Sequence, residues 1–195
     1  MSTSVRLLLI PLLHSLLVGC GSILASAGAG PISEDPGERT LAQQMTDESI
    51  ETKAKVNINA SNAAYDQAHL NVISFNGFVL ILGQVPTMEL KKLATDVVRK
   101  LDAVRRIYNE LEVGSETGAR ARAKDTWITT QIKSKLLASS DTPGRRVKVV
   151  TENSIVYLMG LVSEKEADRI SLEAGKVSDA KRIVKLFEII PAPAT

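Results

Sequence analysis

Few side chains in this sequence could make or break bonds. The 195 residues hold one cysteine, Cys20, and two histidines, His14 and His69. A single thiol allows no intrachain disulfide. Neither histidine is accompanied by the cysteines or spaced carboxylates of a structural metal site. No nucleophile stands with a base, and no pair of acids has a rationale as a general acid and base. Glu164, Glu166 and Asp168 fall in the first turns of a predicted helix, where the helix dipole favours anions. The reading is a protein that is not an enzyme and uses no cofactor and no metal. Two side chains remain whose placement asks for a reason: Cys20 and the only tryptophan, Trp127.

Trp127 lies in DTWITTQIKSKLL, residues 125–137. At helical spacing Ile128, Ile132 and Leu136 form one buried stripe, i, i+4, i+8. Trp127, Thr130, Ser134 and Leu137 then lie on the opposite side, with Lys133 and Lys135 on the flanks. An indole favours the boundary between apolar and wet surroundings. Lysines can reach anionic headgroups while their stems lie on apolar surface. Each contributes about 1 kcal/mol near a negatively charged membrane. The six residues Trp127, Thr130, Lys133, Ser134, Lys135 and Leu137 are therefore candidates for binding anionic phospholipid. Packing of Trp127 on another domain, or on a protein partner, stays open beside that reading. Arg120, Arg122 and Lys124, in the segment before this helix, could add electrostatic support.

The other side chain to place is Cys20. Residues 1–19 begin with Arg6 and continue through an apolar run, Leu7 to Val18. That run is shorter than the roughly 20 apolar residues of a spanning helix, and a small-residue cleavage site follows it. Leu17-Val18-Gly19-Cys20 resembles the lipobox of bacterial lipoproteins. The resemblance implies that the Cys20 thiol takes a diacylglyceryl group, and that the amine freed by cleavage is acylated in turn. The alternative is an ordinary secretory signal that contains a cysteine. Gly21 follows, where an aspartate would resemble an inner-membrane retention signal, so the resemblance points to the outer membrane. Residues 20–45 are expected to be a flexible tether, rich in Gly, Ala, Ser and Pro at its start.

The elements that must position Trp127 appear twice. TDESIETKAKVNINAS, residues 46–61, is repeated as KDTWITTQIKSKLLAS, residues 124–139. Asp47 matches Asp125, Ile50 matches Ile128 and Ile58 matches Leu136. Each copy continues with two strand-like runs around a turn. In the first the turn is Asn76-Gly77, a type I′ hairpin signal. Thr87 and Ser163 are predicted helix caps, the latter in a capping box with Glu166. A last strand begins at Arg106 and at Arg182. Gly83 and Gly160 close the second strand of each copy, where backbone geometry rather than a ligand explains them. In the second copy Val147, Val149, Ile155, Tyr157 and Met159 alternate with other neighbours and are read as one apolar face. The fold class is thus α+β. Two tandem α-β-β-α-β units occupy residues 46–114 and 125–191, joined by a linker at 115–124. Each is a two-layer sandwich with two helices on one face of a three-stranded sheet. Apolar content of 44% supports packed cores, and an aromatic content of 4% requires them to be aliphatic. The net charge of +2 supports no nucleic-acid partner.

The tandem units, with DTWITT, RVKVVTEN and VYLMGLVSEKEA in the second, resemble BON domains. A lipobox ahead of two of them resembles the dual-BON outer-membrane lipoproteins. That resemblance implies a non-enzymatic periplasmic protein held at the outer membrane. It implies binding of anionic phospholipids such as phosphatidylglycerol or cardiolipin through the second domain. It also implies enrichment at the division septum and support of outer-membrane integrity. The competing functional reading is a protein-interaction module that assists envelope or outer-membrane protein assembly, with the Trp127 face as its contact.

Overall fold

The structure, a computed structural model, describes residues 35–192. The leader, Cys20 and the first part of the tether lie outside these residues. The first unit runs α1 (Leu41–Ser61), β1 (His69–Phe75), β2 (Phe78–Val85), α2 (Met88–Val98), β3 (Arg106–Asn109) and β4 (Glu112–Val113). The second repeats it as α3 (Ala119–Ala138), β5 (Lys148–Glu152), β6 (Ile155–Met159), β7 (Leu161–Val162), α4 (Glu164–Gly175), β8 (Arg182–Lys185) and β9 (Glu188–Ile189). The order α-β-β-α-β is the expected one, with each last strand interrupted once.

In each sheet the second strand is central. It runs antiparallel to the first, as in Val72↔Ile81 and Val150↔Tyr157. It runs parallel to the last, as in Leu80↔Tyr108 and Tyr157↔Val184. The parallel pairing requires a crossover, and α2 and α4 supply it. Both hairpins turn through two residues of positive φ, Asn76 (52°) and Gly77 (74°), then Asn153 (53°) and Ser154 (65°). Gly83 lies inside β2 rather than at its end. Its φ is +115°, and a Cβ there would sit 1.9 Å from the His69 carbonyl oxygen, so only glycine fits.

Both helices start earlier than the sequence suggested. Thr40 caps α1, accepting from the Gln43 backbone amide while the Gln43 side chain accepts from Thr40, so the helix begins at Leu41 and not near residue 46. Residues 35–39 are also held. Asp35 accepts from Arg146 of the second unit at 3.0 Å. Arg39 donates to Asp47 at 2.7 Å and lies 3.9 Å over the Phe75 ring. Residues 35–39, expected to belong to the tether, are therefore part of the folded structure. In the second unit, α3 takes residues 119–124 out of the expected linker.

Each unit has its own core between helices and sheet. Ile50, Ala54 and Ile58 meet Val72, Val79, Ile81 and Val85 in the first. Ile128, Ile132 and Leu136 meet Val147, Val149, Val156, Leu158 and Ile170 in the second. The alternation in the second unit needs correction. Val147 and Val149 face the helices, but Ile155, Tyr157 and Met159 face the other way. That other face is not solvated. Ile73, Phe75, Phe78, Leu80 and Leu82 of the first sheet form a third core with Tyr157, Met159, Leu161 and Leu186 of the second. The two sheets pack face to face with helices outside, and the contact is reciprocal. Asn76 in the first turn donates to Glu188 at 2.8 Å, and Asn153 in the second turn donates to Glu112 at 3.0 Å.

Candidate functional site

The rotation of α3 about its axis is set from its buried side. Ile128, Ile132 and Leu136 are essentially inaccessible. Asp125, also buried, accepts from the Asn153 amide at 2.8 Å and the Ser154 amide at 2.7 Å. Thr129 bonds Thr151 on β5 at 2.7 Å. Asp47 performs the same task for α1, accepting from Asn76 and Gly77 and also from the Ser74 hydroxyl. These two aspartates are structural residues that sequence reading paired without assigning a role. The signal was the turn itself, whose two inward amides need an acceptor.

With α3 so fixed, the six candidate residues lie together on its outer side. Trp127 is 59% exposed and Leu137 is 60% exposed. Thr130, Lys133, Ser134 and Lys135 are exposed as well. Trp127 takes no part in the contact between units, because the sheets make that contact. Packing of the indole between domains is thereby removed as its explanation.

Continuing α3 back to Ala119 extends this surface. Arg120 and Lys124 join the helix and are exposed, so α3 carries Arg120, Arg122, Lys124, Lys133 and Lys135 against one acid, the buried Asp125. Among the described residues, no ion pair involves Arg120, Lys124, Lys133 or Lys135. The extension was legible in principle. ARARAK is made of strong helix formers with no Gly or Pro before Asp125.

The comparison with α1 is less one-sided than the aligned repeats imply. Ser49 and Asn59 occupy the positions of Trp127 and Leu137, yet α1 exposes Leu41, Met45 and Val56. What separates the helices is charge and the indole. In α1, Asp47, Glu48 and Glu51 oppose Lys53 and Lys55.

Residues 46–115 and 124–191 each match the BON domain family. The chain is 33% identical over 176 residues to the outer membrane lipoprotein DolP of Haemophilus influenzae, covering 89% of this chain and 90% of that one. It is 36% identical over 152 residues to a 21 kDa hemolysin of Actinobacillus pleuropneumoniae, covering 78% of each. It is 27% identical over 175 residues to the osmotically-inducible protein Y of Escherichia coli, covering 85% of this chain and 87% of the relative. By both of its repeated units, and by its likeness along nearly its whole length to an outer-membrane lipoprotein, the chain belongs to the BON-domain family.

Proposed function

We propose that this chain is a lipid-anchored periplasmic protein of the outer membrane that binds anionic phospholipid through the outer face of α3. In this reading it supports outer-membrane integrity and gathers at the division septum. The observation that carries the lipid-binding part is the surface of α3: an exposed indole and leucine flanked by Arg120, Lys124, Lys133 and Lys135, none of which pairs with a carboxylate among the described residues. An exposed indole favours the boundary between headgroups and hydrocarbon, and cations beside it are attracted to anionic lipid. The outer-membrane location is supported by the name of the Haemophilus relative.

The anchor supplies most of the affinity in this scheme. One acyl chain holds a protein only marginally and two or more hold it stably. With Cys20 acylated, α3 already sits at high effective concentration near the bilayer and needs only modest affinity of its own.

The test is vesicle sedimentation of the unacylated chain, residues 21–195. It should sediment with vesicles containing phosphatidylglycerol or cardiolipin and stay in solution with purely zwitterionic ones. Absence of binding at every composition overturns the lipid reading and leaves a protein-interaction module, with Trp127 as its contact. The anchor is tested separately. Cys20→Ala should release the protein from the membrane fraction, and its continued acylation would defeat the lipobox reading.

A further inference from the structure

The last strand of each unit is an edge of its sheet. In the second unit the amides of Leu186, Glu188 and Ile190 donate to the carbonyls of Leu158, Gly160 and Val162. In a parallel ladder alternate residues turn to the partner strand. The N–H and C=O groups of Lys185, Phe187 and Ile189 therefore face away from β6 and β7. Among the described residues nothing pairs with their amides. The side chains of this set lie on the helix side of the sheet. Phe187 packs on the core beneath α4, and Lys185 reaches Asp168 at 3.5 Å. Between edge and helix runs a groove of about 340 Å³, with Lys185, Phe187 and Ile189 on one side and Glu164, Ala167 and Asp168 on the other.

The first unit has the same edge and closes it. Asn109 is the counterpart of Lys185, since Ile81 pairs with Asn109 as Leu158 pairs with Lys185. Asn109 Nδ2 donates to the Lys91 carbonyl and to the Thr95 hydroxyl on α2, both at 2.6 Å. Its Oδ1 accepts from the outward-facing amide of Leu111 at 3.1 Å. One side chain thus seals the edge and stitches it to the helix, and Leu111 is buried. A lysine side chain has donors only, so Lys185 cannot accept from the Phe187 amide, the counterpart of the Leu111 amide. The shared fold does not require an open edge, yet the second unit has one.

Whatever covers this edge must supply its own row of backbone donors and acceptors. A lipid or a small apolar molecule has no such row, and an extended polypeptide does. Ala167, Phe187 and Ile189 suit an apolar side chain in the groove. Glu164 and Asp168 suit a cation, because only Lys185 stands against the two carboxylates there. We propose that the β8–β9 edge binds an extended segment of another protein as an added strand, with apolar residues against Phe187 and Ile189 and a basic residue on Glu164 and Asp168. The site shares no residue with the outer face of α3 and stands whether or not that face binds lipid.

The experiment follows amide hydrogen exchange by NMR in the unacylated chain, residues 21–195. Without peptide, the Phe187 and Ile189 amides should exchange fast and the Leu111 amide slowly. The probe is the capped peptide Thr-Ile-Thr-Leu-Thr-Lys-Thr, which places isoleucine, leucine and lysine on one face of a strand. At millimolar concentration it should slow exchange at Phe187 and Ile189. N-methylation of one alternate set of its amides should abolish this, and methylation of the other set should not. Glutamate in place of its lysine should weaken binding about fivefold, the scale of an exposed ion pair turned to repulsion. Asp168→Lys, at an exposed position, should reverse that preference. Lys185→Asn should slow the Phe187 amide by itself and weaken the peptide, while Trp127→Glu should leave peptide binding unchanged.

No slowing by the peptide overturns the site, as does slow exchange of these amides in the peptide-free monomer. Equal binding of both methylated sets overturns strand addition. An unchanged lysine preference in Asp168→Lys overturns the cation position. A Lys185→Asn protein with a slowed Phe187 amide and undiminished binding overturns the edge as the point of contact. Self-association by sedimentation, with the same amides slowed and no response to peptide, gives the edge to a second copy and overturns the proposal.

Discussion

Trp127 and Asp125 are two residues apart, and the helix turns them to opposite sides. Asp125 is fixed by two backbone amides; Trp127 has no such constraint and faces outward. Replacing Trp127 with Glu should abolish most vesicle binding, because it removes the indole and adds repulsion from anionic headgroups. Folding should change by less than about 0.5 kcal/mol, as for other surface substitutions. A Trp127→Glu protein that unfolds, beside a Trp127→Ala protein with full lipid affinity, would assign the indole to packing. The aspartates should behave in the reverse way. Asp47→Ala orphans two buried amides and the Ser74 hydroxyl, at about 2–3 kcal/mol by thermal unfolding. Asp125→Ala orphans two amides and should cost less. Burial alone raises the Asp47 carboxyl, but the bonds from Ser74, Gly77, Arg39 and Asn76 outweigh burial and hold it below its usual value. Because its folded pKa is depressed, its contribution is complete above the ordinary carboxylate range near 3.8 and is lost as pH falls through the lower folded value. The stability gap between wild type and Asp47→Asn should therefore narrow in acid. A gap constant from neutral pH to about pH 2 would show that the charge of Asp47 does not matter.

Among the elements, α1 and α3 share a fold and differ in charge. Lys133→Glu with Lys135→Glu should weaken vesicle binding, and the loss should be largest at low salt, where charges are least screened. A control pair in α1, Lys53→Glu with Lys55→Glu, of which Lys55 aligns with Lys133, should leave binding unchanged, and an equal loss would spread the lipid surface over both units. Arg120→Glu with Lys124→Glu tests the helical extension that the structure adds. If those residues were unstructured linker, reversal there would matter less than in the middle of α3; as part of the helix they should matter comparably. The hairpins carry a different sensitivity. Gly77 has φ +74°, and a Cβ would lie 2.5 Å from the Ala103 carbonyl oxygen. Gly77→Ala should lower the melting temperature by several degrees, equivalent to about 1–2 kcal/mol.

At the scale of the whole molecule, the two sheets are buried against each other through aliphatic and aromatic side chains. Leu80, Leu82 and Met159 have no exposure at all. Each unit alone would present this face to water. Leu80→Asp should therefore destabilise both units together, since a buried charge without a partner is costly wherever the core is shared. The wild-type chain should melt in one transition by calorimetry. Two well-separated transitions would mean that the sheets contribute little to each other's stability. The forked ion pair of Arg105 with Glu188, at 2.7 Å on both oxygens, closes the same contact at its rim.

What the sequence determined by itself is local and periodic. The buried stripes of α1 and α3, the I′ turn at Asn76-Gly77, the caps at Thr87 and Ser163 and the doubling of the whole unit all depend on residues close in the chain. So does the outward direction of Trp127, which follows from the stripe on the other side of its helix. The element boundaries at Leu41 and Ala119 were also local: Thr40 with Gln43 spells a capping box and Gly118 precedes a run of helix formers, signals that lie outside the repeated stretch from which the helices were read. The second face of each sheet was decided elsewhere. Ile155, Tyr157 and Met159 alternate with Val156 and Leu158, so β6 is apolar on both sides, and alternation cannot say which side meets helices and which meets another sheet. Only the tertiary structure places Tyr157 and Met159 against Leu80 and Leu82, some 75 residues away in sequence. That placement leaves Trp127 and the cation-flanked outer face of α3 outside the contact between the sheets.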